Sequence, residues 1–114
     1  MRYALLTCTD ESAVISDEER SWRAAALTSF EDQMRERGVL PATEHLHPAE
    51  TATTVRCWGG GDVIIADGPF AATREQIVGF FVVDCKDLDE AIETAAAVPA
   101  AWYGTIEVRP VWES

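Results

Sequence analysis

Basic residues are scarce in this chain, which carries 9 Lys and Arg against 20 Asp and Glu and has a formal net charge of −11 at pH 7. Because binding to phosphates needs clustered Lys and Arg, we expect no nucleic-acid partner. The same deficit argues against binding to anionic membrane surfaces. Long apolar runs are also lacking, and the first residues have no signal-peptide layout. We therefore expect a cytoplasmic protein without a membrane partner.

Cysteine is sparse as well, since Cys8, Cys57 and Cys85 are odd in number and form no C-x-x-C motif. Each lies in or beside an apolar, strand-like run, so we expect reduced and mostly buried thiols. The chain has no phosphate loop, dinucleotide fingerprint or nucleophile elbow, so we expect no cofactor. With 114 residues and neither linkers nor low-complexity segments, residues 1–114 are expected to form a single domain.

The apolar pattern predicts an α+β chain. Ser16 with Glu19, and Asp87 with Glu90, have the spacing of helix N-caps. Gly38 ends the first predicted helix, whose stripe of Trp22, Ala26, Leu27, Phe30 and Met34 is typical of core packing. Strands are predicted over residues 2–9, 51–58, 63–66, 76–85 and 105–112. Residues 39–47 also begin like a strand, which Pro41 is expected to break.

The strand over 76–85 is apolar on both sides. Alternation puts Ile77, Phe81 and Val83 on one side and Val78, Phe80 and Val82 on the other. Two helices that cover the same face of a sheet leave its second face exposed. A chain this short has no spare element to cover that face. A second copy is the simplest cover, so we expect a homodimer.

Several stretches resemble the YCII-related family, and specifically its DGPF branch. The matching stretches are "RYALLTCTDE", "ERGVL", "TATTVR", "DGPFAATRE", "GFFVVDCKDLDEAIETAAAVP" and "YGTIEVRPVWE". The resemblance implies a ferredoxin-like βαββαβ subunit with an additional hairpin strand, which pairs with a second copy as a dimeric α/β barrel. Related members are associated with removing chloride from a chlorinated aromatic intermediate, and members of this branch tend to be encoded beside alternative sigma factors. Ala72 and Arg74 stand where the family usually has Glu and Lys.

Asp67 is the leading candidate for a functional group. It follows an apolar strand and precedes the Gly68–Pro69 corner, so its carboxylate either forms an Asx-turn or acts in a site. His47 is its candidate catalytic partner, since histidine titrates in the working range. The wider YCII group pairs a His with an Asp, but in a different stretch. Phe70 is a candidate ligand contact, with anchoring of the corner as the alternative.

His45 and His47 project to one side of an extended segment, and two imidazoles on one side can begin a metal site. The spacing specifies no third ligand, so we expect no metal, and His45 stays a candidate ligand contact. Arg56, Arg74 and Arg109 are candidate partners for a substrate carboxylate or phenolate. Their alternative role is pairing within the protein, for example of Arg109 with Glu107.

Two functions remain open from the sequence. The first is binding of a small polar or aromatic molecule in a cleft of the dimer, with cofactor-free acid–base or lyase-type chemistry through Asp67 and His47. The second is a non-catalytic binding or regulatory module that works with an alternative sigma factor. Convergence of Asp67 and the histidines in one enclosed pocket favours the first function, whereas separate exposed positions favour the second.

Overall fold

The computed structural model describes residues 1–113, and these residues form two helices and six strands of an α+β fold. The elements in chain order are β1 (Arg2–Thr9), α1 (Asp17–Glu36), β2 (Ala42–His45), β3 (Thr53–Arg56), β4 (Ile64–Asp67), β5 (Gln76–Asp84), α2 (Leu88–Ala97) and β6 (Thr105–Pro110). A short 3₁₀ turn, Pro99–Trp102, follows α2.

Both helices begin and end where their local signals predict. The Glu19 N–H donates to the Ser16 hydroxyl at 3.1 Å, and the Glu90 N–H donates to the Asp87 carboxylate at 2.9 Å. Gly38 takes a φ of 69° just after α1, a conformation that glycine adopts without steric cost. Within residues 1–113, neither helix has the length and apolar character needed to cross a membrane.

The main sheet has four antiparallel strands in the order β2-β5-β1-β6, which is compatible with a ferredoxin-like fold. The expectation that Pro41 breaks the strand over 39–47 was wrong for residues 42–45. β2 pairs with β5 from Ala42 opposite Val82 to His45 opposite Gly79. An edge strand tolerates a proline just before it, because one row of its backbone groups has no partner to satisfy.

The predicted hairpin exists, but it stands apart from the main sheet. β3 and β4 form a separate two-stranded antiparallel sheet in which Thr53 lies opposite Asp67 and Arg56 lies opposite Ile64. β3 is shorter than the strand predicted over 51–58, whereas β4 has the predicted length and lies one residue later than 63–66. The apolar side chains of the hairpin are largely exposed, with Val55 at 60% and Ile65 at 66%. The hairpin therefore adds little to the core of its own chain.

The core lies between the main sheet and the helices. Leu5, Phe81 and Val83 are almost fully buried on the sheet, and Phe30 of α1 meets Phe81 edge to face at 5.2 Å. Trp22, which the sequence pattern placed in the same stripe, is 44% exposed. The stripe is therefore core only from Leu27 onward, and Trp22 instead meets the rings of Trp102 and Tyr103 edge to face.

A β-bulge changes which side chains of β5 share a face. The register between β1 and β5 shifts at Thr7 and Cys8. Ile77 consequently lies with Cys8 on the face away from the helices, while Val78 lines a cavity on the helix side. The strict alternation expected over 76–85 was therefore wrong at these two positions, since a bulge inserts one unpaired residue into a ladder.

The open face of the main sheet and the hairpin leave a large surface exposed. The accessible surface is 7938 Å², whereas a compact monomer of 12.5 kDa exposes about 6,200 Å². The radius of gyration is 16.1 Å, compared with about 13 Å for a compact domain of this length. Leu6, Phe80 and Val82 lie on this open face and are only partly covered by their neighbours.

Candidate functional site

A cavity of about 160 Å³ lies on the helix side of the main sheet. Strands β1 and β5 form its floor, α1 forms one wall, and the turn after α2 forms the other. The residues that line it are Thr7, Thr9, Arg23, Leu27, His45, Val78, Gly79, Phe81, Val98, Pro99, Ala100 and Tyr103. The lining is mostly apolar with a few polar groups, which is typical of a small-molecule site. We call it the inner cavity.

Thr7 supplies a polar group on the floor of the inner cavity. The residue is 7% exposed, and its hydroxyl has no hydrogen-bond partner within residues 1–113. Buried hydroxyls are nearly always hydrogen-bonded, because an unpaired one costs about 1–3 kcal/mol. An unpaired hydroxyl that lines a cavity is a group that a ligand can satisfy.

Glu31 and His45 form a pair at the edge of the inner cavity. His45 Nε2 lies 2.7 Å from Glu31 Oε1, and the two side chains are 50% and 12% exposed. The imidazole also meets the Phe81 ring edge to face, with centroids 6.2 Å apart. Gly79, opposite His45 in the sheet, leaves room for the ring, because a Cβ there would lie 3.3 Å from His45 Nδ1. The imidazole is thus held between the Glu31 carboxylate and the backbone of β5 at Gly79, which has no side chain.

Arg23 and Tyr103 form the opposite side of the inner cavity. The Arg23 guanidinium lies 3.5 Å over the Tyr103 ring, and its Nε donates to Glu19 Oε1 at 3.0 Å. Burial raises the pKa of the Tyr103 phenol above its ordinary value, while the charge of Arg23 opposes that shift. The phenol therefore stays protonated at neutral pH and remains a hydrogen-bond donor.

Asp67 does not line the inner cavity or share a pocket with the histidines. It is the exposed last residue of β4, and its carboxylate accepts no hydrogen bond within residues 1–113. The turn is fixed by other groups, since the Gly68 N–H donates to the Ala52 carbonyl at 2.7 Å and Thr54 Oγ1 donates to the Gly68 carbonyl at 2.8 Å. The structure thus gives Asp67 no Asx-turn and places it in neither the pocket that His45 lines nor the one that His47 lines.

His47 and Phe70 meet in a different place, an outer cleft of about 740 Å³ between the hairpin and the open face of the sheet. Cys8 and Ile77 form part of its floor. Phe70 is 77% exposed. The outer cleft therefore unites two of the predicted site residues, but it is broad and open rather than enclosed.

The three candidate arginines are dispersed. Arg56 lies with its guanidinium 5.1 Å from the Phe70 ring, and Arg109 pairs with Glu107 at 2.9 Å. Arg74 lies in a shallow surface depression with Asp10 and Glu11. The alternative role of internal pairing is thus found for Arg109, and no two of these arginines converge on one ligand position.

Metal-ligating side chains do not cluster in the part of the chain that the structure describes. No group of three or more His, Cys, Asp or Glu within residues 1–113 is arranged to hold a metal ion. The three cysteines are free, and only Cys85 is buried, with Cys8 half-buried and Cys57 exposed. The expectation of mostly buried thiols was therefore wrong for Cys57, which lies beyond the end of β3.

Comparison with known proteins decides the family. The model of the YCII-related domain matches residues 1–114. The chain belongs to the YCII-related family. One relative, a protein of Rhizobium meliloti (strain 1021), is 38% identical over 115 residues, which cover 97% of this chain and 92% of the relative. That relative is described as uncharacterised, so its name carries no activity to this YCII-related protein.

Sequence reasoning missed Glu31 in this YCII-related chain. Glu31 follows Phe30 and lies four residues after Leu27, so it belongs to the apolar stripe of α1. An acid on a buried helical stripe is a signal of a paired or functional carboxylate, because buried charges are rarely left unpaired. The sequence pairs His45 only with His47. The contact of His45 with Glu31 cannot be predicted from the sequence, because it depends on how α1 packs on the sheet.

Proposed function

We propose that this YCII-related protein binds a small polar or aromatic molecule in the inner cavity and performs cofactor-free acid–base chemistry on it through His45. The observation that carries the proposal is the 2.7 Å pair of His45 and Glu31 at the edge of a partly enclosed, mostly apolar cavity. A candidate general base needs this kind of position, within hydrogen-bond reach of a bound substrate and oriented by a third group.

The pair defines which nitrogen of His45 is available. An ionised Glu31 only accepts hydrogen bonds, so the neutral imidazole carries its proton on Nε2 and donates it to Glu31 Oε1. Nδ1 then keeps its lone pair and lies beside Gly79, which lines the inner cavity. In this proposal His45 Nδ1 takes a proton from the bound molecule, and Glu31 is a positioning residue that stabilises the imidazolium that forms.

Solvent exchange of an activated C–H proton tests this chemistry without knowledge of the natural substrate. Cyclohexanone in D₂O is a suitable probe, because deuterium enters its α-position when a base removes the proton. We expect the protein to accelerate exchange and His45→Gln to lower the acceleration about 10²-fold or more. Glu31→Gln should shift the pH profile of exchange as well as its rate.

His47→Gln is the matched control, since His47 lies in the outer cleft. It should leave the exchange rate unchanged. If the probe perturbs the amide signals of the inner cavity but exchanges no faster than in buffer, the catalytic part of the proposal is wrong and binding alone remains. Equal losses in the His45 and His47 variants would also contradict the proposed role of His45.

We also propose that the protein works in the cytoplasm as a homodimer in which two single-domain copies, each of residues 1–114, pair as a dimeric α/β barrel. Support comes from the partly covered apolar side chains on the open face and from the excess of exposed surface over a compact monomer. That excess is larger than the roughly 800 Å² that each partner buries in a standard interface.

The second candidate function is a non-catalytic binding or regulatory module, working with an alternative sigma factor. Two observations favour it. Asp67, His45 and His47 are exposed and do not share one enclosed pocket. On the hairpin of β3 and β4, Val55, Ile64 and Ile65 are 60%, 60% and 66% exposed. Exposed apolar patches of this kind mark interaction surfaces. Binding of probes to the inner cavity without any proton exchange, in a protein that binds a sigma factor in solution, would favour this second function.

A further inference from the structure

The inner cavity also has a charge balance that restricts what it can hold. We infer that it selects an uncharged molecule the size of a single six-membered ring, carrying one carbonyl or hydroxyl group that pairs with Thr7. This inference rests on the proposed function, because it names the class of ligand for the same cavity.

Size sets the first limit. The inner cavity measures about 160 Å³, and an apolar cavity of about 150 Å³ in another protein is known to hold benzene. Leu27 supplies an apolar wall, and Val78 and Phe81 supply an apolar floor. A single ring or a branched chain of similar bulk therefore matches the volume of the inner cavity, and a nucleotide or a two-ring molecule would extend out of it.

Charge sets the second limit. Arg23 and His45 are the two basic side chains of the lining, and each already faces a carboxylate. Arg23 pairs with Glu19 at 3.0 Å, and His45 pairs with Glu31 at 2.7 Å. An incoming anion would thus be desolvated without an uncompensated positive partner, which is costly in an apolar site. An incoming cation would meet Arg23. A neutral molecule avoids both costs.

Thr7 sets the third limit. Its hydroxyl is buried, unpaired within residues 1–113, and able to donate one hydrogen bond or accept others. A carbonyl or hydroxyl on the ligand satisfies it, whereas a plain hydrocarbon leaves it unpaired. The ligand therefore carries at least one neutral polar group at the end that reaches the sheet.

Matched pairs of neutral and anionic probes test the inference. Cyclohexanone is compared with cyclohexanecarboxylate, and phenol with benzoate, by titration against the amide signals of Thr7, Gly79 and Ala100 at neutral pH. We expect each neutral probe to bind at least 10-fold more tightly than its anionic counterpart. Thr7→Val should weaken binding of cyclohexanone about 5-fold or more, since it removes the hydroxyl and keeps the shape of the side chain.

Thr28→Val is the control, because Thr28 lies on the exposed side of α1. It should leave the affinities for the neutral and the anionic probes unchanged. Thr7→Val removes a polar group that has no partner, so the variant should fold, and its unfolding transition without ligand checks this directly. Loss of cyclohexanone binding in a folded Thr7→Val protein, with none in Thr28→Val, supports the inference.

Two other outcomes separate this inference from the proposed function. If benzoate shifts the same amides and binds more tightly than phenol, the inference is wrong while the inner cavity remains a binding site. If none of the four probes shifts those amides, both the inference and the proposed function fail.

Discussion

The residues that border the inner cavity are not the ones that the sequence marks as most distinctive. Asp67 lies in the most distinctive stretch of the chain but is exposed, whereas Thr7 and Glu31 lie in ordinary-looking elements and border the inner cavity or its edge. Local chemistry predicts a turn at Asp67 and Gly68 well, since glycine and proline determine it. It does not predict which carboxylate will be enclosed, because enclosure depends on contacts between distant segments.

Replacing Asp67 by asparagine tests how much its carboxylate contributes. Because that carboxylate is exposed and accepts no hydrogen bond within residues 1–113, we expect Asp67→Asn to change the free energy of unfolding by less than about 0.5 kcal/mol. Binding of probes to the inner cavity should be unchanged. Urea unfolding followed by circular dichroism measures the first effect.

Thr54→Val is the control for the same turn, since it removes the 2.8 Å hydrogen bond from Thr54 Oγ1 to the Gly68 carbonyl. It should cost about 1 kcal/mol. If Asp67→Asn lowers the free energy of unfolding more than Thr54→Val does, the carboxylate stabilises the turn or a contact with a second copy.

At the scale of elements, the helices and five of the six strands could be predicted from the sequence, because their caps, stripes and β-branched runs are local signals. The strand β2 could not, since Ala42–His45 is short and polar and is stabilised by pairing with β5. The bulge in β5 could not either. The bulge is a shift in the pairing register of β1 and β5, so the sequence of either strand alone does not predict it. His45, which pairs with Glu31, is the last residue of β2.

Gly79 lies where these elements meet, and its replacement tests their fit. A Cβ at this position would lie 2.7 Å from the Glu44 carbonyl oxygen, so Gly79→Ala should push β2 away from β5. We expect a loss of about 1–3 kcal/mol in the free energy of unfolding, as for overpacked cores. Amide hydrogen exchange in β2 should accelerate more than exchange in β6.

Gly61→Ala serves as the comparison, because Gly61 lies in an exposed turn at a φ of −75° and its closest atom is a carbonyl oxygen 3.2 Å away. It should cost less than Gly79→Ala. Unchanged exchange in β2 of a folded Gly79→Ala protein would show that the sheet absorbs the methyl group without moving its edge strand.

For the whole molecule, the proposed dimer makes the clearest prediction. Light scattering at micromolar concentration should give the mass of two chains, each of 12.5 kDa. Phe80 lies on the open face while Phe81 is 2% exposed in the core, so a charge at Phe80 acts on the interface. Phe80→Glu should yield monomer or aggregate, because it would bury an unpaired charge between the two sheets.

A charge at Val14 is the matched control, since Val14 is fully exposed in the loop before α1. Val14→Glu should remain dimeric. A wild-type protein that stays monomeric at micromolar concentration would rule out the proposed dimer, and the exposed hairpin would then need a different partner.

The central place of β1 also has a consequence for synthesis on the ribosome. β1 is made first, yet its two neighbours in the sheet begin only at Gln76 and Thr105. Because translation adds about 5–20 residues per second, several seconds pass between the synthesis of β1 and that of its first neighbour, and more before its second. During that time β1 is a strand with two unpaired edges, the form most prone to pair with other nascent chains. Slow codons after β1 should therefore lower the yield of native protein, whereas slow codons after β5 should matter much less.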